Sequence, residues 1–535
     1  MTAVPGDAAD GAVRAAPVQR TGGAAHVALG IFVSRLFGIL RQSLTAKYLG
    51  TTAAADAFTA AFKITNFLQN LFGEGALSAS FIPVYSKLAK EDPKEAGRVA
   101  GAVGALLALV VSVIVLIGVV ATPALIPLIA AGFEPGRREL TIRLTRILFP
   151  GAGIFVISAW CLGILNTHGK FLLSYLAPVL WNIAMIGALL LAGPRQGQRD
   201  LASTLAWASV LGAALQFLVQ IPGTLRYAKH LRVRTDTASP HVRTVMRNFG
   251  PAFLSRGVVQ ISSYIDNWLA TFLPEGMVAT FGYASAVIVL PVSLFGMAVS
   301  AASLPEMSTA SGDEHEIAAY LRGRLTRGLR QISYFVVPSA AAFLAFGDVI
   351  AGLLFQRGNF SAADSRFAWG ILAGASVGLL ASTMGRLYSS TYYALRDTRT
   401  PLRFAILRVA LTSVLGYLSA LWLPTRIGID AHWGAAGLTV SAGVAGWIEF
   451  HLLRSRLNRR IGETGVPARL ILSLWTAAII GAAAGWEMRR LVAGQNRMLG
   501  EVLVLGTFGV VYLLTTFALR IPEARTALDR FRRRR

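Results

Sequence analysis

Charge is what this sequence has least of. Only 15% of its 535 residues are charged, and just 27 are acidic, where a soluble protein carries about 25% charged residues. Cysteine is nearly absent: Cys161 stands alone in an apolar run, so no intramolecular disulfide forms. The seven histidines never fall within five residues of one another, which excludes a helical metal-binding pair. The nearest approach to a phosphate-binding loop runs from Gly163 to Phe171. It places five residues between Gly163 and Gly169 where four are required, and Phe171 stands where Ser or Thr would hold magnesium. The expectation is therefore no enzyme, no metal and no cofactor.

Apolar length is what the chain has instead. Residues Gly101–Phe133, Phe171–Gly193, Leu201–Leu225, Gly276–Leu304 and Val502–Leu519 carry no charge at all, and a bilayer core needs about 20 apolar residues per helix. The fold class expected is an all-α polytopic membrane protein. Six spans are expected before the basic connector near residue 230, namely 24–49, 53–88 with an interruption, 101–131, 140–166, 171–193 and 201–225. Six more follow near 246–273, 277–305, 318–345, 365–393, 402–424 and 431–453, then two near 468–488 and 499–519. This predicts fourteen helices: an N-terminal tail at 1–22 read as disordered and lacking a signal-peptide core, an N-lobe at 23–233, a C-lobe at 234–457, and two last helices with a basic tail at 458–535.

The net charge of +24 sits in clusters between alternate spans, such as Lys87/Lys90/Lys94/Arg98, Arg322/Arg324/Arg327/Arg330 and Arg532 to Arg535. That distribution suits a cytoplasmic face beside anionic headgroups, with both termini inside, and argues against nucleic acid.

The polar exceptions inside spans mark the candidate site. Along residues 53–75, Asp56, Thr59, Lys63, Asn66, Asn70 and Glu74 recur every three or four positions, so one helical face carries them all. The reading is a membrane helix with a wet cavity on that side and lipid on the side of Phe58, Phe62, Phe67 and Leu71. Buried ionisable groups cost at least about 2.5–3.5 kcal/mol each at a helix centre, so they face partners or water. Arg35, Arg41, Lys63 and Arg256 are the candidate substrate-binding cations, joined by Asn66 and Asn70. Asp56 and Glu74 are candidate gating or ion-pairing residues, Gly73 and Gly75 a candidate hinge, and Asp266 a candidate ion or proton site. The alternative for each charge is a salt bridge that holds the bundle together.

The two halves repeat. Ser34-Arg35 matches Ser255-Arg256, Phe72-Gly73 matches Phe295-Gly296, and Ile82-Pro83 matches Leu304-Pro305, at an offset of about 221. Six helices return the chain to its starting side, so the repeats are parallel, with the substrate site expected between them.

Ser34-Arg35-Leu-Phe-Gly38-Ile-Leu-Arg41, Asp56-Ala57-Phe58, Ala61-Phe62-Lys63 and Phe72-Gly-Glu74-Gly75-Ala76-Leu-Ser78 resemble the MurJ (MviN) family of lipid II flippases. So do Phe355-Gln-Arg-Gly358-Asn-Phe360 and Asp397-Thr398-Arg399-Thr400-Pro401. The resemblance covers residues 24–520. It implies the multidrug/oligosaccharidyl-lipid/polysaccharide exporter superfamily, with two lobes around a cationic cavity and a lipid-tail groove formed by the last two helices. It implies an undecaprenyl-pyrophosphate-linked peptidoglycan precursor as substrate, moved outward across the bacterial cytoplasmic membrane. The chain departs from the family at Gln42, usually Asp, and at Gln69 and Ala286, where arginines are expected. Thr412 and Gly416 stand where some members have a sodium-site carboxylate. Arg256 is the candidate replacement for the arginine absent at Ala286. Expected partners are the lipid-linked precursor, membrane lipids and possible cell-wall synthesis enzymes, with the chain itself a monomer. Membrane potential or an ion gradient is the expected energy source. The alternatives are a flippase for another polyprenyl-linked oligosaccharide, a non-transporting envelope scaffold, and a drug exporter, which a basic cavity disfavours.

Overall fold

A computed structural model of the chain describes residues 22–228, 230–231, 239–297, 299–300, 303, 307 and 313–525. Within its helices the side chains at 22–29, 31, 73–75, 171, 251–252, 254–259 and 261–263 fall outside that description. The first bundle comprises α1 (Gly22–Leu49), α2 (Ala53–Leu68), α3 (Ser78–Glu91), α4 (Pro93–Ile129), α5 (Pro135–Thr167), α6 (Phe171–Ala192) and α7 (Gln198–Tyr227). The second comprises α8 (Pro240–Ala270), α9 (Met277–Pro291), α10 (Glu314–Phe355), α11 (Ala362–Ala394), α12 (Arg399–Tyr417), α13 (Leu423–Ile427) and α14 (Gly434–Ile461). A final hairpin, α15 (Ala468–Leu491) and α16 (Arg497–Ala518), packs on α10 through Phe346–Phe508 and Tyr334–Tyr512 ring contacts. No strand occurs among the described residues.

Among the described residues, eleven helices are long and apolar enough to cross a membrane. The other expected spans, in α1, the α2–α3 stretch and α8, contain the side chains outside the description. On α4, Leu109, Val113, Leu116, Ile117 and Val120 are all exposed, an apolar face suited to lipid. Helix starts follow local chemistry. Asp92 accepts from the backbone N–H of Lys94 and Glu95, with Pro93 at the first helical position, and Asp313/Glu316 and Ser361/Asp364 form capping boxes.

Two features position the site. Both bundles break α-helical geometry at the repeated Phe-Gly motif: Gln69–Leu77 is π-helical around Phe72-Gly73, and Val292–Met297 is π-helical around Phe295-Gly296. Such widened turns concentrate at functional sites. Helix α8, although it opens the second bundle, also packs along the first. Phe253 and Phe249 meet Phe72 at ring-centroid distances of 4.9 and 6.0 Å, and Val242 and Val245 join the core around Phe81 and Tyr85.

One expectation is corrected. The apolar side of α2 does not face lipid: Phe58 and the following Leu71 are buried, Phe62 stacks on Trp181, and Phe67 packs edge-on against Tyr264. A helix at the seam between two bundles is covered from both sides, so its polar and apolar faces both meet protein.

The Asp397 motif shows how a connector is held. Asp397 accepts from the Thr400 N–H at 3.0 Å and the Thr400 hydroxyl at 2.8 Å, and pairs with Arg460 at 2.9 Å. Burial alone would raise its pKa, but the Thr400 bonds and the Arg460 charge outweigh it and hold the carboxyl below the usual range. Its stabilising contribution is therefore present above the ordinary carboxylate pKa and lost as pH falls through the depressed value. Asp397→Asn should lower the thermal midpoint in detergent at pH 7 by about 1–2 °C, and the difference from the parent should vanish on acidification below that value.

Candidate functional site

At one end of the molecule the two bundles are locked by an exchange of carboxylates. The turn after α1 leads into α2, whose first N–H groups have no partner within the helix. The Ala53 N–H instead donates to Glu275 Oε1 of the second bundle at 2.7 Å. In return Asp56 of α2 accepts from the N–H groups of Gly276 at 2.7 Å and Ala279 at 2.8 Å, at the start of α9. A carboxylate at a helix N-terminus is favoured by both hydrogen bonding and the helix dipole. Asp56 is fully buried, and its charge is balanced by Arg137 Nη1 at 3.1 Å.

The rest of this lock, a candidate gate, is backbone against backbone. Gly276 has φ +89°, and a Cβ there would collide with the Thr51 carbonyl. Gly358, φ +59°, lies equally close to the Lys47 carbonyl. Both positions therefore demand glycine, for conformation and for space. Asn359 donates its N–H to Lys47 O (2.9 Å) and its side-chain amide to Tyr48 O (2.6 Å), Tyr283 donates its hydroxyl to Gly50 O (2.9 Å), and Thr51 donates to Asp364 (2.8 Å). The Phe355–Phe360 motif is thus the second bundle's grip on the end of α1.

Away from the gate, Arg41 is the most tightly placed intramembrane cation. It is 8% exposed, donates from Nε to Asn182 Oδ1 at 3.1 Å, and lies 4.8 Å above the Trp181 ring. Asn182 is fixed in turn by its amide bond to Pro178 O, and the Trp181 indole by Ser209. Arg41 lines a cavity of about 260 Å³ between α1, α2, α5, α6 and α7, together with Asn66. Gln69, where the family resemblance leads one to expect arginine, lines the same cavity.

The other candidates fall elsewhere. Arg35 is exposed on α1. The backbone carbonyl of Lys63 accepts the Tyr264 hydroxyl, and its ammonium interacts electrostatically with Asp266 of α8. Asp266 Oδ1 is buried without a hydrogen-bond partner and also feels Arg408. Asn70 is half-buried and does not line the Arg41 cavity. The Arg256 and Glu74 side chains lie outside the described residues, as do the surroundings of Gly73 and Gly75, whose backbone belongs to the first π-helical segment. Thr412 is buried, and Gly416 packs against Leu269 and Leu438.

Several residues escaped the sequence reading. Arg137 and Glu275 complete the gate. Arg408 pairs with Glu449 at 3.1 Å, within the field of Arg386. All three of these lie inside expected spans, so the criterion that singled out Arg41 applies to them equally. Gln216 and Asn182 are neutral and carried no such signal.

The lipid II flippase MurJ family model matches residues 45–505. A lipid II flippase MurJ of Burkholderia cenocepacia is 30% identical over 437 residues, covering 80% of this chain and 82% of that protein. A probable lipid II flippase MurJ of Vibrio cholerae is 29% identical over 518 residues, covering 93% and 96%. Among solved structures, a lipid II flippase MurJ in an inward closed conformation superposes with a TM-score of 0.76 at 22% identity, over 92% of this chain and 98% of that one. An inward-facing multidrug resistance transporter of the MATE family gives 0.64 at 17% identity, over 82% and 98%, a likeness of fold. With the match running through both bundles and into the final hairpin, the chain belongs to the lipid II flippase MurJ family.

Proposed function

We propose that this chain is a lipid II flippase that carries the undecaprenyl-pyrophosphate-linked peptidoglycan precursor from the inner to the outer leaflet by alternating access. The observation that carries the reading is Arg41: a guanidinium fixed by Asn182 and Trp181, facing a cavity with no carboxylate among its described lining residues. Arg is suited to phosphate oxygens because its donors form a planar fork. The same lining speaks against a cationic drug, which would require acidic groups. A multi-pass helical protein of this family belongs in a bacterial cytoplasmic membrane. The clusters Lys87/Lys90/Lys94/Arg98 and Arg322/Arg324/Arg327/Arg330 lie where α3 ends and α10 begins, the ends remote from the gate, which supports a gate that faces outward and termini that face the cytoplasm.

In this state the outward gate is shut. The precursor's diphosphate enters from the cytoplasmic side and meets Arg41, with Arg35 and Lys63 along the approach. Release outward requires Asp56 and Glu275 to let go of the opposite bundle's helix N-termini, while the π-helical segments allow α2 and α9 to bend. Membrane potential or an ion gradient supplies the energy: one charge crossing is worth about 2.3 kcal/mol per 100 mV. Asp266, with an unpartnered oxygen between cations of both bundles, is the residue placed to respond.

Expression in bacteria depleted of their own lipid II flippase tests the assignment. The parent chain should restore growth, while Arg41→Ala and Arg256→Ala should fail at matched expression. A parent that inserts but does not rescue in a compatible host would shift the assignment to another polyprenyl-linked glycan. Rescue by all three would remove the arginines from the site, as a scaffold role requires.

The gate has its own test. Cys161 is buried, so a Thr51→Cys/Asp364→Cys pair can be joined selectively. Cross-linking it should reduce transport at least about tenfold, and a reductant should restore it. Full transport in completely cross-linked protein would be incompatible with exit through this gate.

A further inference from the structure

The cavity under Arg41 has more chemistry than a phosphate needs. Its volume of about 260 Å³ lies just below the roughly 300–1,000 Å³ of pockets that enclose a whole drug-sized ligand. It admits one ring of a larger headgroup. Four side-chain amides, Asn66, Gln69, Asn182 and Gln216, and two hydroxyls, Ser34 and Ser158, line it, with the aromatic walls of Phe62, Phe155 and Trp181. Among the described residues, no carboxylate and no second cation line it. Inside a membrane-spanning bundle such a neutral polar set has a desolvation cost, and it persists where hydrogen-bonding groups meet a partner.

The wall is organised for donation and acceptance. Gln216 donates from Nε2 to Ser158 Oγ at 3.2 Å, and Ser158 donates to Gln220 Oε1 at 3.3 Å. Gln220 is fully buried, and its Nε2 has no acceptor. Buried amide donors are rarely left in this condition. Asn182 and Trp181 are already committed to Pro178, Arg41 and Ser209, so they hold the shape, and the Gln216 amide oxygen, Asn66 and Gln69 are the groups available to a ligand. Amides and hydroxyls on aromatic walls suit a ring bearing hydroxyl and acetamido groups. The adjoining Arg41 suits a phosphate attached to that ring.

We infer that this cavity within the first bundle holds the phosphate-proximal amino sugar of the lipid-linked precursor. Arg41 takes the adjacent phosphate, and Gln216, Asn66 and Gln69 hydrogen-bond the hydroxyl and acetamido groups of the ring. The inference rests on the flippase reading and adds to it a sugar-reading subsite. It makes discrimination between loaded and empty carrier lipid a property of neutral residues and not of charge.

The test compares two ligands that share tail and diphosphate, lipid II and sugar-free undecaprenyl diphosphate, binding to detergent-purified protein. The parent should prefer lipid II by about tenfold or more, since each well-placed hydrogen bond is worth up to that factor. Gln216→Leu, which removes a ligand-facing amide, and Ala159→Phe, which fills the cavity from its wall, should each bring the ratio of affinities close to one. The thermal midpoints of the ligand-free variants establish that they fold. A preference that survives in both folded variants overturns the subsite. A parent that binds the two lipids equally also overturns it but leaves the flippase assignment standing. A parent that binds neither removes the flippase assignment, and the subsite with it.

Discussion

A helix that begins inside or near a membrane has N–H groups that water cannot fully serve, and a carboxylate in the same place has a charge it cannot leave unpaired. The carboxylate lock between the bundles joins these two liabilities across the lobe interface. Asp56 serves the start of α9, Glu275 serves the start of α2, and Arg137 balances the more deeply buried of the two acids. A gate built this way is both tight and reversible. Each group that is released on opening moves toward solvent, where water can replace the lost bond, so separation exposes no orphan in hydrocarbon. A purely apolar seal of similar extent would instead expose greasy surface to water at every opening. The glycines at 276 and 358 belong to the same design, because only without a Cβ can the facing backbones come close enough to bond.

Internal repetition gives the gate its counterpart in flexibility. The Phe-Gly motif occurs once per bundle, and at both occurrences the helix leaves α geometry for a π-helical stretch. The two stretches follow α2 and α9, the helices whose starts the gate carboxylates hold. Each lobe therefore has a helix pinned at its outer end and widened further along, an arrangement in which bending moves the inner half without breaking the outer contacts first. Helix α8 touches both bundles, since its first half packs with Phe72 of the first and its second half brings Leu269 against Gly416 of the second.

The architecture was legible because hydrocarbon leaves a clear imprint on sequence: long uncharged runs mark spans, and clusters of arginine mark their ends. The repeat was legible from Phe72-Gly73 and Phe295-Gly296, although nothing in those letters announces a π-helix. The site was legible only in part. A helical wheel places Asp56, Lys63 and Asn66 on one side of α2, but it cannot say that the gate covers the first, α8 the second, and the first bundle's own cavity the third. Nor could it show that Phe58 and Leu71 meet protein, since lipid and a neighbouring helix ask for the same apolar residues. Arg137 was hidden in a connector, where a charge needs no explanation. Gln216 and Asn182 were hidden by neutrality, because a search for buried charge passes over amides that make much of the cavity's chemistry.

The two bundles consequently differ in character despite their common topology. Among the described residues, the cavity of the first is neutral apart from Arg41. The second carries Asp266, Arg408, Glu449 and Arg386 within reach of one another, and Lys63 approaches Asp266 from across the seam. Neutral polar groups bind by shape and hydrogen bonding, and their contribution changes little with voltage. A network of charges at membrane depth responds strongly to field and to the position of its members. Parting the lobes on the proposed reading would take Lys63 away from Asp266 and leave Arg408 as its cation among the described residues, so the charge balance of the second bundle would depend on lobe separation. On the proposed reading, recognition and the response to an electrochemical driving force fall to different halves of one repeated fold, so a change to the amide cavity would alter what is carried without altering the charges near the seam.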